Sequence, residues 1–284
     1  MANSNILLQV SFTFFAAFLS VYYSGKGHLI NRFVSEIIHG KSGCCPVPDV
    51  GNVTLHYFTL RERAEAIRFL LEDSQIPYKE INFNDESWPA QKAWGLESGL
   101  YTFGQVPAIS TSTGVNLVQS HVILRYLGRS VGLDCDCDEL HVCDTLAAGV
   151  EDFHAALSRL IWDEDFSLEQ RDAYMNKTMP MWLSYFEKLA PSLANLETAF
   201  FLGDRLTWVD FLVFYVLENN VEFCQHSFGN NKVLVVDALE KFPKLAHFYR
   251  LMSKRPRLSK YIRSKRRIPF TVPYIPKQLR AVNA

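Results

Sequence analysis

From Val53 to Phe58 the chain alternates, with Thr54, His56 and Phe58 on one side and Val53, Leu55 and Tyr57 on the other. A period of two predicts a strand with two chemically different faces. The period then lengthens. Ala64, Ile67, Phe69, Leu70 and Leu71 supply an apolar stripe, which predicts a helix from about Arg61 to Ser74. Tyr78 to Phe83 reads as a second strand, and Trp88 to Tyr101 as irregular or weakly helical. Ala108 to Thr111 and Val115 to Val118 flank Thr113-Gly114, a hairpin signal. Ser120 to Val131 reads as the next helix. The order βαβ then ββα is that of a thioredoxin-like α/β domain.

From Cys143 onward the period is helical, with Leu146, Val150, Phe153, Leu157 and Leu160 three or four residues apart. Further helical runs fall at Met181 to Leu196, Trp208 to Glu222 and Val235 to Ser253. The second half is therefore expected to be all-α. Ile6 to Tyr23 is apolar and uncharged, and Lys26 and Arg32 follow it. This run suits a signal peptide or a signal anchor held in the membrane. Asn31 to Ile38 suits a short helix before a stretch broken by Gly40, Gly43, Pro46, Pro48 and Gly51. The organisation expected is a leader over 1–24, an irregular extension over 25–51, a thioredoxin-like domain over 52–132, a helical domain over 139–270 and a tail over 271–284.

The 284 residues accommodate two domains, and 48% hydrophobic residues give ample core material. A net charge of -1 implies no general attraction to nucleic acid. The basic segment from Arg255 to Arg267 reads as a solvated helix face. Asn52-Val53-Thr54 and Asn176-Lys177-Thr178 are N-glycosylation sequons, which with the apolar N-terminus favour a secretory route. Cys135, Cys137 and Cys143 cluster near the domain junction, with Cys44-Cys45 and Cys224 elsewhere. No zinc-type spacing surrounds them, so they read as incidental or disulfide-forming thiols, and no metal is expected.

The candidate chemistry lies at strand ends. Tyr57 closes the first strand, where a hydroxyl can face a cleft. Taken alone, such a tyrosine is a packing residue. Within Tyr57-Phe58-Thr59-Leu60-Arg61-Glu62-Arg63-Ala64-Glu65-Ala66-Ile67-Arg68 it becomes a donor to a thiolate, with Arg63 as a nearby cation. Val106-Pro107 is a candidate cis peptide that leaves the Val106 backbone free to pair with an extended peptide. Gln119-Ser120 opens a helix. Ser120 suits an N-cap and also, with the helix N–H groups, a carboxylate. Thr207 and Asp210 are spaced as a capping box and read as structural.

From about Val53 to Pro269 these segments resemble the tyrosine-dependent glutathione transferases, nearest in pattern to the pi and sigma classes. With its N-terminal extension, the chain resembles the secreted, glycosylated transferases of parasitic nematodes. The resemblance implies a homodimer that conjugates glutathione, as co-substrate and without a cofactor, to hydrophobic electrophiles. It makes Tyr57 and Arg63 catalytic. It assigns Trp88 and Lys92 to the glycyl carboxylate, Gln105, Val106 and Pro107 to backbone pairing, and Gln119 and Ser120 to the γ-glutamyl end. Asp152 would reach the partner subunit's glutathione. Asp152, Arg159 and Trp162 are read as one helix face, with Arg159 and Trp162 walling the second-substrate pocket. Glu62 departs from the family pattern, which has a small residue there, and adds negative charge near the thiol. Two alternatives stay open: a glutathione-dependent prostaglandin D synthase, and a non-catalytic binding or scaffold protein. A cysteine or serine nucleophile is disfavoured by Thr59 and Leu60.

Overall fold

The computed structural model describes residues 47–193, 200–227, 237–274 and 276. The apolar run at 6–23, the helix expected at 31–38 and the Cys44-Cys45 pair lie outside the described residues. Among the described residues no helix is long and apolar enough to cross a membrane.

Strands β1 (Val53–Phe58), β2 (Tyr78–Phe83), β3 (Ala108–Thr111) and β4 (Asn116–Val118) form one sheet in the order β2-β1-β3-β4. β1 runs parallel to β2 and antiparallel to β3, and β3 is antiparallel to β4. A 3-10 turn at Glu62–Ala64 leads into α1 (Glu65–Ser74), which ends with Gln75 in the left-handed region. The alternation of β1 does what the sequence predicts. Val53, Leu55 and Tyr57 are buried in the same core as Ile67, Leu70 and Leu71 of α1. On the other face, His56 and Phe58 meet the rings of Tyr101 and Phe83.

The segment read as weakly helical is a helix, α2 (Trp88–Glu97). Its apolar side chains follow no clear stripe, because its packing is carried by a glycine. A Cβ on Gly95 would lie 1.8 Å from the Tyr101 ring. α3 (Ser120–Ser130) follows β4 and packs with α1 on the inner face.

The second unit is helical, as expected: α4 (Leu140–Ile161), α5 (Leu168–Ala173), a π turn (Tyr174–Thr178), α6 (Met179–Leu189), α7 (Trp208–Gln225), α8 (Pro243–Ser253) and α9 (Pro256–Ile262). The run expected from Val235 begins as a helix only at Pro243, whose fixed φ suits a first helical position. α7 is apolar nearly all round and buried nearly throughout, the signature of a central helix. It packs on α4, α1, α3 and α8, and Phe214 of α7 meets Phe69 of α1 at 5.1 Å between ring centroids. Burying each such large side chain contributes roughly 1.5–3 kcal/mol. Thr207 and Asp210 close a capping box at its start. The Asp210 carboxylate also accepts the Phe201 N–H at 3.0 Å. A disulfide joins Cys135, in the connection after α3, to Cys143 in the first turn of α4.

The basic segment from Arg255 to Arg267 is a solvated face only in part, with Arg257, Lys260, Arg263, Lys265 and Arg266 exposed. Arg255 pairs with Asp73 at 2.6 Å, Arg257 donates to the Asp73 carbonyl, and Arg266 pairs with Glu72. Arg267 is buried between Glu65 and Glu218. Arg255, Arg266 and Arg267 are counter-ions of the α1 acids, so part of the segment's charge describes a contact and the rest a surface. We call this arrangement the clasp.

Candidate functional site

The sheet register assembles the site. His56 pairs with Ala108, and Ala108 pairs with Val118. One residue further along these three strands stand Tyr57, Pro107 and Gln119. The ladder therefore brings the end of β1, the Val106-Pro107 bond and the start of α3 to one edge of the sheet. Val106-Pro107 is cis. Val106 makes no backbone hydrogen bond among the described residues, so its N–H and C=O remain available to an extended chain.

Tyr57 is buried, with the backbone of Arg63 near its hydroxyl. Burial, and then the Glu62 charge, push its pKa well above the usual range, with Arg63 opposing. Tyr57 therefore stays a phenol and keeps a proton to donate. The Arg63 guanidinium lies near Tyr57 but is ion-paired with Glu151 of α4.

Glu62 occupies an unusual place. Its φ is +32°, a region that L side chains adopt at a cost. Its carboxylate lies near the Trp162 indole and 3.4 Å from His154 Nε2. His154 Nδ1 and the Tyr215 hydroxyl are 2.9 Å apart. With Tyr215 donating to Nδ1, the imidazole N–H sits on Nε2, which is buried and makes no hydrogen bond among the described residues. Burial raises the Glu62 pKa and lowers that of His154 to about 3.

Around the cis-proline, Gly104 has φ +60° and lies against the stem of Lys92, which is otherwise exposed. Gln105 is exposed beside it. Trp88 is half-buried, with its ring 5.3 Å from Phe58 and 5.5 Å from Phe83. Ser120 differs from expectation. The N-cap of α3 is Gln119, at φ +72°, and Ser120 is the first helical residue. The Ser120 hydroxyl makes no hydrogen bond among the described residues. Capping therefore does not account for this serine.

The helix face read from Asp152, Arg159 and Trp162 is corrected. Trp162 lines a small pocket with Leu60, Glu62, Asn219 and Phe270, but Asp152 and Arg159 are exposed and do not line it. Trp162 follows Glu151 by about three helical turns. The face that meets the site therefore carries Glu151, His154 and Trp162. The spacing of Glu151 and His154, a single turn, was the available signal, and Tyr215 and Asn219 gave none because α7 is apolar all round. A larger cavity, about 400 Å³, lies on the opposite side of the sheet beside His56 and is remote from this chemistry. Thr207 and Asp210 are structural. Burial pushes the Asp210 pKa to about 6 against its hydrogen bonds. Asn52 and Asn176 are both exposed. Among the described residues no group of three or more His, Cys, Asp or Glu is placed to hold a metal.

Two family models match this chain: the glutathione S-transferase N-terminal domain over residues 53–129 and the glutathione S-transferase C-terminal domain over residues 151–265. A Xenopus laevis protein, glutathione S-transferase P 1, is 32% identical over 75% of this chain and 92% of its own length. A Dirofilaria immitis glutathione S-transferase is 30% identical over 73% of this chain and 90% of its own. The solved pi-class glutathione S-transferase of Onchocerca volvulus superposes with a TM-score of 0.62 at 29% identity, covering 74% of this chain and 91% of that one. The prostaglandin synthase D of Nilaparvata lugens shares the fold, with a TM-score of 0.60 at 23% identity over 77% of this chain and all of that one.

Proposed function

The chain belongs to the glutathione S-transferase family and is a glutathione transferase, and from that premise we propose how its own residues carry the reaction. The observation that carries the reading is the register that sets Tyr57, Pro107 and Gln119 side by side. Glutathione lies extended along Val106, pairing with its free N–H and C=O. Ser120, with the N–H groups at the start of α3, holds the γ-glutamyl carboxylate, and Gln119 its amine. Trp88, Lys92 and Gln105 take the glycyl end. This places the thiol at Tyr57.

A free thiol has a pKa of about 8.5, and lowering it by two units requires about 2.7 kcal/mol of differential stabilisation. The Tyr57 O–H donates to the sulfur. Proximity then does the rest. The electrophile enters beside Trp162 and Phe270, and its class is hydrophobic.

Two finer readings accompany this one. The protein acts as a homodimer, in which exposed Asp152 reaches the partner's glutathione. The chain enters the secretory pathway, supported by the Cys135–Cys143 disulfide and the exposed sequon residues Asn52 and Asn176. Sedimentation tests the first: a monomer at micromolar concentration removes it. Treatment of native material with a glycosidase tests the second: an unchanged mass removes the glycan reading.

The deciding experiment is titration of the full-length chain with glutathione, followed by turnover of a generic electrophile by wild type and Tyr57→Phe. The variant is expected to bind glutathione as well as wild type and to lose roughly 10²-fold in kcat/KM, the scale of one lost oxyanion-type donor. Undiminished turnover takes Tyr57 out of the mechanism.

A further inference from the structure

We propose that Glu62 is the proton acceptor for the glutathione thiol and that it returns this proton to an activated alkene acceptor, an inference that rests on the transferase reading above. The first observation is conformational. Glu62 holds a left-handed φ of +32° at the turn below β1, where glycine would sit without strain. The strained turn places a carboxylate close enough to Tyr57 for its charge to act on the phenol.

The second observation is the company this carboxylate keeps. The charged and titratable groups around it are Tyr57 from β1, Glu151 and His154 from α4, Tyr215 from α7, and Arg61 and Arg63 on its own turn. Both cations are already committed, Arg63 to Glu151 and Arg61 to Glu222. His154 is neutral, with its Nδ1 on the Tyr215 hydroxyl. Glu62 therefore lies beside the neutral rings of Trp162 and His154, and the cation that acts on it, Arg63, is already paired with Glu151.

A thiolate and a carboxylate cannot both stay ionised side by side in such a place without a free cation. Like charges in one site raise one of the two pKa values strongly, so that the pair shares a proton. With glutathione bound, the pair carries one negative charge and one proton. Burial also holds the Glu62 carboxyl above its ordinary range, nearer to that of the thiol.

The third observation is the pocket. Asn219 is buried, its side-chain amide makes no hydrogen bond among the described residues, and it lines the same small pocket as Arg61, Glu62 and Trp162. Its amide N–H is placed to receive a carbonyl oxygen.

The step balances without any co-reactant. The S–H bond breaks, and the proton passes to a Glu62 carboxylate oxygen. The sulfur electron pair forms a C–S bond at the β-carbon of an unsaturated ketone. The alkene π pair moves through the α-carbon to the oxygen, as an enolate held by Asn219. The Glu62 proton then quenches the enolate and restores the carboxylate. Displacement of a halide uses only the first half of this cycle, because its proton leaves with the halide.

The test measures kcat/KM against pH for full-length wild type, Glu62→Gln, which keeps the shape, and Glu62→Gly, which relaxes the strained φ. An unsaturated ketone and an aryl halide serve as acceptors, and glutathione affinity is titrated for each protein. Both variants are expected to lose at least tenfold with the ketone at pH 6.5, to recover as pH approaches the free thiol's value of about 8.5, and to lose less with the halide. Equal or higher activity of either variant at pH 6.5, with glutathione still bound, makes Glu62 a mere repulsive neighbour and overturns the proposal. Failure of wild type to bind glutathione overturns the transferase reading and this proposal with it.

Discussion

In the clasp, each buried cation meets an acid. Arg267 lies between Glu65 and Glu218, and Arg68 meets Glu65 at 3.1 Å and Glu80 at 3.0 Å. At the turn below β1, Glu62 lies beside the neutral Trp162 and His154 rings while its neighbouring arginines are paired elsewhere. Both regions remove charge from water, which costs several kcal/mol per ion unless pairing offsets it. The clasp offsets the cost and ties the two domains together. The turn leaves it partly unmet and adds backbone strain at Glu62. Burial of charge by itself therefore does not mark a functional site. What separates the two regions is whether the charge has a counter-ion, and the unmet one stands beside the thiol position.

The largest effect is expected from breaking the clasp. Arg267→Ala strands the Glu218 carboxylate, while Glu65 keeps Arg68, so urea unfolding is expected to show a loss of about 3–5 kcal/mol. Activity per folded molecule at low temperature should stay within about twofold. A large loss of turnover in fully folded protein would mean that the clasp also shapes the site, and the contrast between the regions would weaken.

The next effect belongs to the turn. His154 is neutral in the fold with a pKa of about 3, while an unfolded histidine titrates near 6.5. Between those values the unfolded chain binds the extra proton, so stability is present above about pH 6.5 and is lost as pH falls toward 3. The slope from this group is at most about 1.4 kcal/mol per pH unit. His154→Gln keeps an acceptor for Tyr215 but does not titrate. Its stability curve should be flatter in that window. An unchanged slope would place the acid sensitivity elsewhere.

The smallest effect sharpens the reading of Ser120. Because its hydroxyl caps nothing, Ser120→Ala should change unfolding free energy by only a few tenths of a kcal/mol, yet weaken glutathione binding by about 1 kcal/mol, roughly fivefold. Loss of stability without loss of affinity would return Ser120 to a structural role.

Much of this was legible in the chain. Alternation set β1 with Tyr57 inward and His56 outward, and the bounds of β2 followed from the same pattern. Tyr57, Val106-Pro107 and Gln119-Ser120 were recognisable because each sits at a strand end with turn chemistry. What stayed hidden were relations between distant segments. Arg255 to Arg267 looked like a solvated face because the acids that match it lie on α1. α2 looked irregular because Gly95 packs through its missing side chain. The wall of the second pocket was assigned to Arg159 and Trp162 on one helix face with Asp152; Trp162 lines it, but helical geometry aligns Trp162 with Glu151 and leaves Arg159 exposed. The partners of Glu62 come from α4, its C-terminal end and α7, a convergence that no local pattern encodes.

The clasp also sets a schedule. Arg267 reaches Glu65 across 202 residues of chain. At a synthesis rate of about 5–20 residues per second, the helix that carries Glu65 leaves the ribosome roughly 10–40 s before its counter-ion is made. During that interval the sheet and its helices exist without Arg255, Arg266 or Arg267 to neutralise α1. The first half of the molecule thus waits, translated but electrostatically incomplete, for almost the last segment of the described chain.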